Sequence, residues 1–318
     1  MRRLVSRALL VFVDGIGMGT PGAHNPFDGA PVRVLAPLGN GRLDVHEDLR
    51  GLELGTLDAT LGYKGLPQSA TGQATLFSGK DAIGLVGGHA PAFPSPALAA
   101  FLVDDNIFAR ARARGLTSGF LNGFDDARAD RAGRIVRGEE PRSRAFPLSA
   151  STLCGVGSGG VLRRSADVRR GAAATFDMTG EIVRGFGFDA PLRSPRQAAH
   201  AVLSGARELD LSYFELFLTD KAGHSQDMTF ARHEIARTEA FLEAIFAGAS
   251  TDELVVVTSD HGNLEDLGTG GHTLARVPLF AKGPTAEALV ARATDLRHVG
   301  PHLLDVLGAS EDMHSAHM

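Results

Sequence analysis

The sequence has few of the features that mark secreted, membrane or nucleic-acid-binding proteins. It has one cysteine in 318 residues, Cys154, so the chain cannot form an internal disulfide, which is typical of a reducing compartment. Its net charge of −5 provides no overall excess of basic residues to displace counterions from nucleic acid. No apolar run reaches the ~18 residues that span a bilayer. We therefore expect a cytoplasmic protein with no membrane partner and no nucleic-acid partner.

The N-terminal segment MRRLVSRALLVFVDG has a basic start followed by an apolar run, as signal peptides do. The apolar run LLVFV is only five residues long, and it ends at Asp14 and Gly15 rather than at a small-residue cleavage site. A buried β-strand fits this pattern better than a signal peptide does.

Short apolar runs alternate with helix-like stretches along most of the chain. Because parallel neighbouring strands need crossover connections, which are usually helices, this alternation indicates an α/β fold with a mostly parallel central sheet sandwiched by helices. The predicted strands are Ala8–Val13, Thr117–Leu121, Leu211–Leu218 and Leu254–Thr258, and the predicted helices are Ile107–Arg114, Pro195–Glu208 and Phe230–Phe246.

Residues 124–192 break this alternation, and we interpret them as a small inserted cap. The catalytic core would then consist of residues 1–123 and 193–318. Between Arg128 and Arg170 the chain has ten arginines and four acidic residues, which makes a local basic surface on an acidic protein. These arginines either bind further anionic groups of a substrate or form an ordinary solvated surface.

Three of the four predicted strands end in acidic and histidine side chains. The carboxyl ends of parallel strands lie along one edge of a sheet, where ligands bind. A single aspartate after a strand is usually a turn or a helix cap, whereas five oxygen and nitrogen donors at one edge are typical of a divalent-metal site. The five residues are Asp14 after the first strand, Asp220 and His224 after the third, and Asp260 and His261 after the fourth.

Ser69 stands in the stretch GLPQSATGQATLFSGK, where a serine precedes small residues and an apolar run. This pattern predicts a helix N-terminus, whose unpaired N–H groups and dipole favour a phosphate or an oxyanion. Ser69 then has two interpretations. It is either an N-cap of the helix or, beside metal ions, a nucleophile whose hydroxyl pKa is lowered by a bound cation.

The order of these motifs resembles that of the alkaline phosphatase superfamily, in particular its cofactor-independent phosphoglycerate mutase and phosphopentomutase branch. The matching stretches are VDGIGMG, the serine stretch, DKAGH, SDHGN and GGHTLARVPL, which lie within residues 2–80 and 213–283. The resemblance implies an alkaline phosphatase-like fold and phosphoryl transfer through a phosphoserine. It also implies two divalent metal ions, manganese or zinc, and a small phosphorylated substrate.

The same resemblance assigns roles to individual residues. The family nucleophile stands ten residues before a glycine that closes its helix, and Ser69 has this relation to Gly79, which favours it over Thr71 and Thr75. Sulfatases of the superfamily carry a Pro and Arg signature after this position, which SATGQ lacks. One metal ion would be held by Asp14, Ser69, Asp260 and His261, and the other by Asp220, His224 and His272.

Two spacings in the ligand motifs give conflicting indications of the substrate. The eleven-residue interval from His261 to His272 resembles the pentomutases, whereas the four-residue interval from Asp220 to His224 resembles the glycerate mutases. The glycerate mutases also have a histidine four residues after the nucleophile, where this chain has Gln73. We expect a phosphomutase or a phosphomonoesterase. The alternatives are a phosphodiesterase or nucleotide-type hydrolase, and a catalytically silent metal-binding protein.

Overall fold

The structure is a computed structural model that describes residues 3–308, so residues 1–2 and 309–318 of the predicted core lie outside it. The strands in this range are β1 (Arg7–Val13), β2 (Leu52–Leu57), β3 (Ser118–Phe120), β4 (Gly123–Phe124), β5 (Arg163–Arg164), β6 (Leu211–Leu216), β7 (Glu253–Thr258) and β8 (Val277–Lys282). The helices are α1 (Ala36–Asn40), α2 (Ser69–Ser78), α3 (Ala82–Val86), α4 (Pro96–Asp104), α5 (Ile107–Ala113), α6 (Asp126–Val136), α7 (Ala150–Val156), α8 (Ser165–Arg170), α9 (Glu181–Gly185), α10 (Pro195–Ala206), α11 (Leu218–Ser225), α12 (Met228–Gly248), α13 (Ala286–Arg292) and α14 (Val299–Val306). Short 3₁₀ turns lie at Glu47–Leu49, Gly157–Gly159 and Leu296–His298.

Six of the strands in the described range form a central sheet in the order β2-β8-β7-β1-β6-β3. Strand β1 is parallel to both of its neighbours, β6 and β7, and β3 is parallel to β6. Strand β8 runs antiparallel to β7 and to β2. The expected α/β fold with a mostly parallel sheet is confirmed, and the carboxyl ends of β6, β1 and β7 lie side by side.

The sheet is covered by side chains on both faces. Along β1, Leu10 and Phe12 belong to one core cluster, together with Phe77 of α2, whose ring lies 5.8 Å from that of Phe12 in an edge-on contact. The alternate residues Val11 and Val13 belong to a second cluster with side chains of α10 and α12. Because successive residues of a strand face opposite sides, burial on both faces makes β1 a continuous apolar run.

The strands and helices expected from the sequence are present as β1, β3, β6, β7, α5, α10 and α12. Strand β6 ends at Leu216, two residues earlier than predicted, because Leu218 already begins α11. Strands β2, β4, β5 and β8 were not predicted from the sequence. Gly55 interrupts the side-chain pattern of β2, and Pro278 stands inside β8, where proline usually argues against a strand.

The predicted division into a core and an inserted cap at 124–192 stays a prediction. Side chains from the first part of this segment, such as Ala132 of α6 and Leu153 of α7, belong to the same core cluster as Phe77. The later part has a small cluster of its own, which includes Val168 and Phe188. Among residues 3–308, none of the helices combines the length and apolarity needed to cross a bilayer.

Candidate metal centre

The predicted ligands meet at one edge of the sheet because three adjacent strands end there. Asp14 directly follows β1, and Asp260 and His261 follow β7. Helix α11 begins just after β6 and presents Asp220 and His224 on successive turns, four residues apart.

His272 lies in the loop between β7 and β8, which folds back against the segment after β7. The backbone N–H of Thr273 donates to the carbonyl of Gly262 at 3.0 Å, and these two residues form an isolated antiparallel bridge. This bridge places His272 beside the residues at the end of β7. The ring of His272 stacks on that of His261, with 3.6 Å between the centroids.

The ligand side chains form two groups. We call Asp14, Asp260 and His261 the buried cluster, and Asp220, His224 and His272 the open cluster; in each, one potential ligand atom per residue lies within 4.8 Å of the others. The members of the buried cluster are all buried, whereas the side chain of His224 is 45% exposed. The stacked rings of His261 and His272 join the two clusters, so they are adjacent.

Distances within the clusters are those of groups facing a shared centre. In the buried cluster, Nε2 of His261 lies 3.4 Å from Oδ1 of Asp14 and 3.5 Å from Oδ2 of Asp260. In the open cluster, Asp220 lies between two histidines. Its Oδ2 is 3.4 Å from Nε2 of His224, and its Oδ1 is 3.7 Å from Nε2 of His272.

The three histidines of the two clusters are oriented in the same way, with Nδ1 of each ring toward a backbone carbonyl oxygen. Nδ1 of His261 lies 3.4 Å from the carbonyl of Gly262, Nδ1 of His224 lies 3.2 Å from that of Gly270, and Nδ1 of His272 lies 2.8 Å from that of Pro67. A carbonyl oxygen only accepts hydrogen bonds, so each Nδ1 is the donor nitrogen, and Nε2 is the ring nitrogen that faces the carboxylates of the cluster. This is how proteins orient histidines for metal binding.

The buried cluster has carboxylate oxygens that lack donors. Within residues 3–308, Oδ1 of Asp14 and both carboxyl oxygens of Asp260 receive no hydrogen bond, although they are buried. Burial and the charge of Asp260 raise the pKa of Asp14 well above its ordinary value, and burial followed by the charge of Asp220 raises the pKa of Asp260 to about 7. Burial and the neighbouring His272 lower the pKa of His261 to about 3. A divalent cation would satisfy these oxygens, so the donor set fits a metal ion.

Ser69 is the first residue of α2, and its Oγ lies 2.9 Å from Nε2 of His261. The N-cap position belongs to Gln68, so the interpretation of Ser69 as a plain N-cap is wrong. The two competing hydroxyls are engaged elsewhere. The hydroxyl of Thr71 donates to the carbonyl of Gln68 at 3.2 Å. Oγ1 of Thr75 accepts from the backbone N–H of Ala82, the first residue of α3, at 3.4 Å.

Two amide side chains beside the clusters were not assigned a role from the sequence. Nε2 of Gln73 lies 3.5 Å from Oδ2 of Asp14, so the residue that departs from the glycerate mutase pattern contacts a predicted ligand. Nδ2 of Asn263 donates to Oδ1 of Asp220 at 2.7 Å and to its carbonyl at 3.1 Å. The only sequence signal for these two residues was their position inside the serine stretch and SDHGN.

The arginines of the predicted cap mostly pair with acidic side chains of the same surface. Arg128 and Arg131 also lie over the ring of Phe146. This arrangement favours the solvated-surface interpretation over substrate binding. The pairs are Arg131 and Arg134 with Glu140, Arg137 with Glu139, Arg164 with Asp130, and Arg163 and Arg170 with both Asp167 and Glu208.

A further buried carboxylate, that of Glu215 on β6, makes the stability of the folded protein depend on pH in a way that can be tested. It accepts a hydrogen bond from Oγ of Ser151 at 2.5 Å, and burial nevertheless raises its pKa from 4.5 to about 7. The folded protein therefore keeps this proton to a higher pH than the unfolded chain does. Its contribution to stability is lost as the pH rises from about 4.5 to about 7, by about 3 kcal/mol.

The Glu215→Gln variant removes this titration and keeps the shape of the side chain. With both proteins free of metal, the stability of Glu215→Gln relative to the unmodified protein is expected to increase as the pH rises, by up to about 3 kcal/mol at about pH 8. Urea unfolding of both chelator-treated proteins at about pH 5 and about pH 8 measures the effect. An equal stability difference at the two pH values would contradict the assignment.

The sequence profile of the metalloenzyme superfamily matches residues 6–311. The solved PH0037 protein of Pyrococcus horikoshii is similar in fold, with a TM-score of 0.58, 14% identity, and coverage of 98% of this chain and 99% of that one. The alkaline phosphatase of Thermus thermophilus gives a TM-score of 0.55 at 12% identity, over 96% of this chain and 92% of that one.

A curated relative is the 2,3-bisphosphoglycerate-independent phosphoglycerate mutase of Desulforudis audaxviator (strain MP104C), which is 29% identical over 128 residues. The match covers 37% of this chain and spans only 25% of that protein's length. The profile match extends over nearly the whole chain, and the fold agrees with it. The chain therefore belongs to the metalloenzyme superfamily.

Proposed function

We propose that the protein is a two-metal phosphomonoesterase that acts on a small phosphorylated metabolite through a phosphoserine at Ser69. The buried cluster and Ser69 would hold one divalent ion, and the open cluster would hold the other. The observation that carries the proposal is the contact between Oγ of Ser69 and Nε2 of His261. It brings a hydroxyl at a helix N-terminus next to donor side chains that fit a metal ion.

When bound, the two ions would lower the pKa of the Ser69 hydroxyl and stabilise the charge of the transferring phosphoryl group. Among residues 3–308, no side chain caps the N-terminus of α2, so its first backbone N–H groups are free to receive phosphate oxygens. Oγ of Ser69 would form a bond to phosphorus as the ester oxygen leaves and takes up a proton. Water would then break the Oγ–P bond, returning a proton to Ser69 and releasing phosphate.

Solvent access favours water as the final acceptor. A mutase has to exclude water while the intermediate is retained, whereas a phosphatase does not. The side chain of His224 is 45% exposed, so the open cluster faces solvent. The first part of the 124–192 segment packs into the main core, and six of the eleven arginines of the whole segment pair with acidic residues. Both observations favour hydrolysis over transfer to a second hydroxyl.

A substrate panel tests the proposal directly. The Mn²⁺-loaded and Zn²⁺-loaded protein would be assayed with phosphorylated sugars, glycerates and nucleotides, and both free phosphate and isomerised product would be quantified. We expect free phosphate without isomer, and faster turnover of a mono-aryl phosphate than of a bis-aryl phosphate. Accumulation of an isomer would instead indicate a mutase, and faster turnover of the diester would indicate a phosphodiesterase.

A further inference from the structure

Glu265 is a buried carboxylate that belongs to neither cluster. It is 4% exposed and stands four residues after His261. Three donors from different parts of the chain converge on it. Its Oε2 accepts from the backbone N–H of Gly17 at 2.8 Å and of Asn263 at 2.9 Å, and its Oε1 accepts from the hydroxyl of Thr273.

Each donor lies next to residues of the two clusters. Gly17 is three residues after Asp14, on the loop that follows β1, and Thr273 directly follows His272. Asn263 is two residues after His261, and its side chain donates to Oδ1 of Asp220. One carboxylate therefore connects the loop after β1 with two segments of the loop between β7 and β8, the one that follows His261 and the one that carries His272. Through Asn263 the same network reaches α11 and the open cluster.

The backbone approaches this carboxylate more closely than any side chain would allow. A Cβ atom at Gly17 would lie 2.5 Å from Oε1 of Glu265, and one at Gly262 would lie 2.3 Å from the same atom. A Cβ at Gly262 would also lie 2.3 Å from Oγ1 of Thr273. Gly17 of DGIG and Gly262 of DHG thus leave the space that Glu265 fills, which gives a physical reason for glycine at both positions.

We propose that Glu265 is a positioning residue that sets the spacing between the two clusters and so determines how tightly both metal ions bind. The inference rests on the proposed function, since it concerns the same pair of ions. A displacement of any of these three segments moves at least one predicted ligand, and groups that orient ligands at metal sites typically contribute about 10- to 100-fold to metal affinity. The Glu265 carboxylate is in neither cluster and acts through its three donors.

The variant Glu265→Gln keeps the size of the side chain and removes the negative charge that the two backbone N–H groups and the Thr273 hydroxyl face. The matched control is Glu239→Gln. Glu239 is also buried and accepts from three backbone N–H groups, those of Arg33, Val34 and Leu35, at 2.7 to 3.0 Å, but it lies on α12 and is in neither cluster. Both variants remove a buried charge that accepts from backbone N–H groups, so both should lose comparable thermal stability.

The readout is Mn²⁺ binding, titrated and followed by the EPR signal of the free ion. We expect two Mn²⁺ per chain for the unmodified protein and for Glu239→Gln, and affinity about 10- to 100-fold weaker at both sites for Glu265→Gln. The milder change Thr273→Val should weaken binding by a smaller factor, and Thr273→Ser should restore it. This pair keeps the test valid if Glu265→Gln does not fold.

Folded Glu265→Gln that binds both ions within about twofold of the unmodified protein would overturn the inference and leave the metal assignment intact. The same weakening in Glu239→Gln would also overturn it, because a general loss of stability would then explain the effect. Absence of Mn²⁺ binding by the unmodified protein would overturn the proposed function together with this inference.

Discussion

Replacing Ser69 with alanine is expected to reduce turnover of the substrate by roughly 10³-fold or more, because the variant has no oxygen to form the phosphoenzyme. The fold should persist. Ser69 is the first residue of α2 rather than its N-cap, so loss of its hydroxyl is expected to cost less than the ~1 kcal/mol of a capping interaction. Mass spectrometry of protein quenched during turnover measures the phosphoserine, and metal analysis checks that both ions remain.

Thr71→Ala is the matched control for this experiment. Thr71 lies on the same helix, two residues after Ser69, but its hydroxyl donates to the carbonyl of Gln68 and accepts from the backbone of Ala90. We expect a modest loss of stability and a preserved phosphoenzyme. If Thr71→Ala abolishes the phosphoenzyme while Ser69→Ala retains it, the nucleophile has been assigned to the wrong residue.

Removal of one ligand from each cluster is the second change with a large expected effect. The double variant Asp260→Ala, His272→Ala should lose most of both metal ions and, with them, activity by roughly 10³-fold or more. Metal analysis by mass spectrometry after gel filtration gives the number of ions per chain. Each single variant should chiefly deplete one ion, since Asp260 belongs to the buried cluster and His272 to the open cluster.

A further variant, Asp260→Asn, separates a structural defect from loss of metal. In the metal-free protein the Asp260 carboxylate is fully buried without a donor in the described range, so Asp260→Asn is expected to raise stability at about pH 8 when no metal is present. If Asp260→Asn is stable but binds only one ion, loss of metal rather than a structural defect explains the lost activity. Two ions per chain in the double variant would rule out the assignment of the clusters.

Much of the candidate site could be predicted from the sequence because several of its predicted ligands follow apolar strands. The placement of Asp14 after β1 and of Asp260 after β7 can be predicted from the strand pattern and from the rule that parallel strands end at one edge. The contact between His272 and His261 could not be derived in this way, since it depends on the bridge between Gly262 and Thr273. Only the family resemblance pointed to that histidine.

Residues that act through hydrogen bonds were harder to predict. Glu265 resembles any acidic loop residue in the sequence, and its three donors come from positions as distant as Gly17 and Thr273. The arginines are the converse case. Their number left substrate binding and a solvated surface as alternatives, and the surface is favoured because Arg131 and Arg164 pair with acidic residues whose proximity the sequence does not reveal.

The arrangement of β1 between β6 and β7 has a consequence for how such a protein can change over evolution. Ser69 and all members of the two clusters come from the first 69 residues and from residues 220–272. Residues 80–210 supply none of them, although this stretch adds β3 to the edge of the sheet and much of the surface around it. Surface connections tolerate insertions at little entropic cost. A lineage can therefore change the connections within this stretch while Ser69 and the members of the two clusters stay as they are.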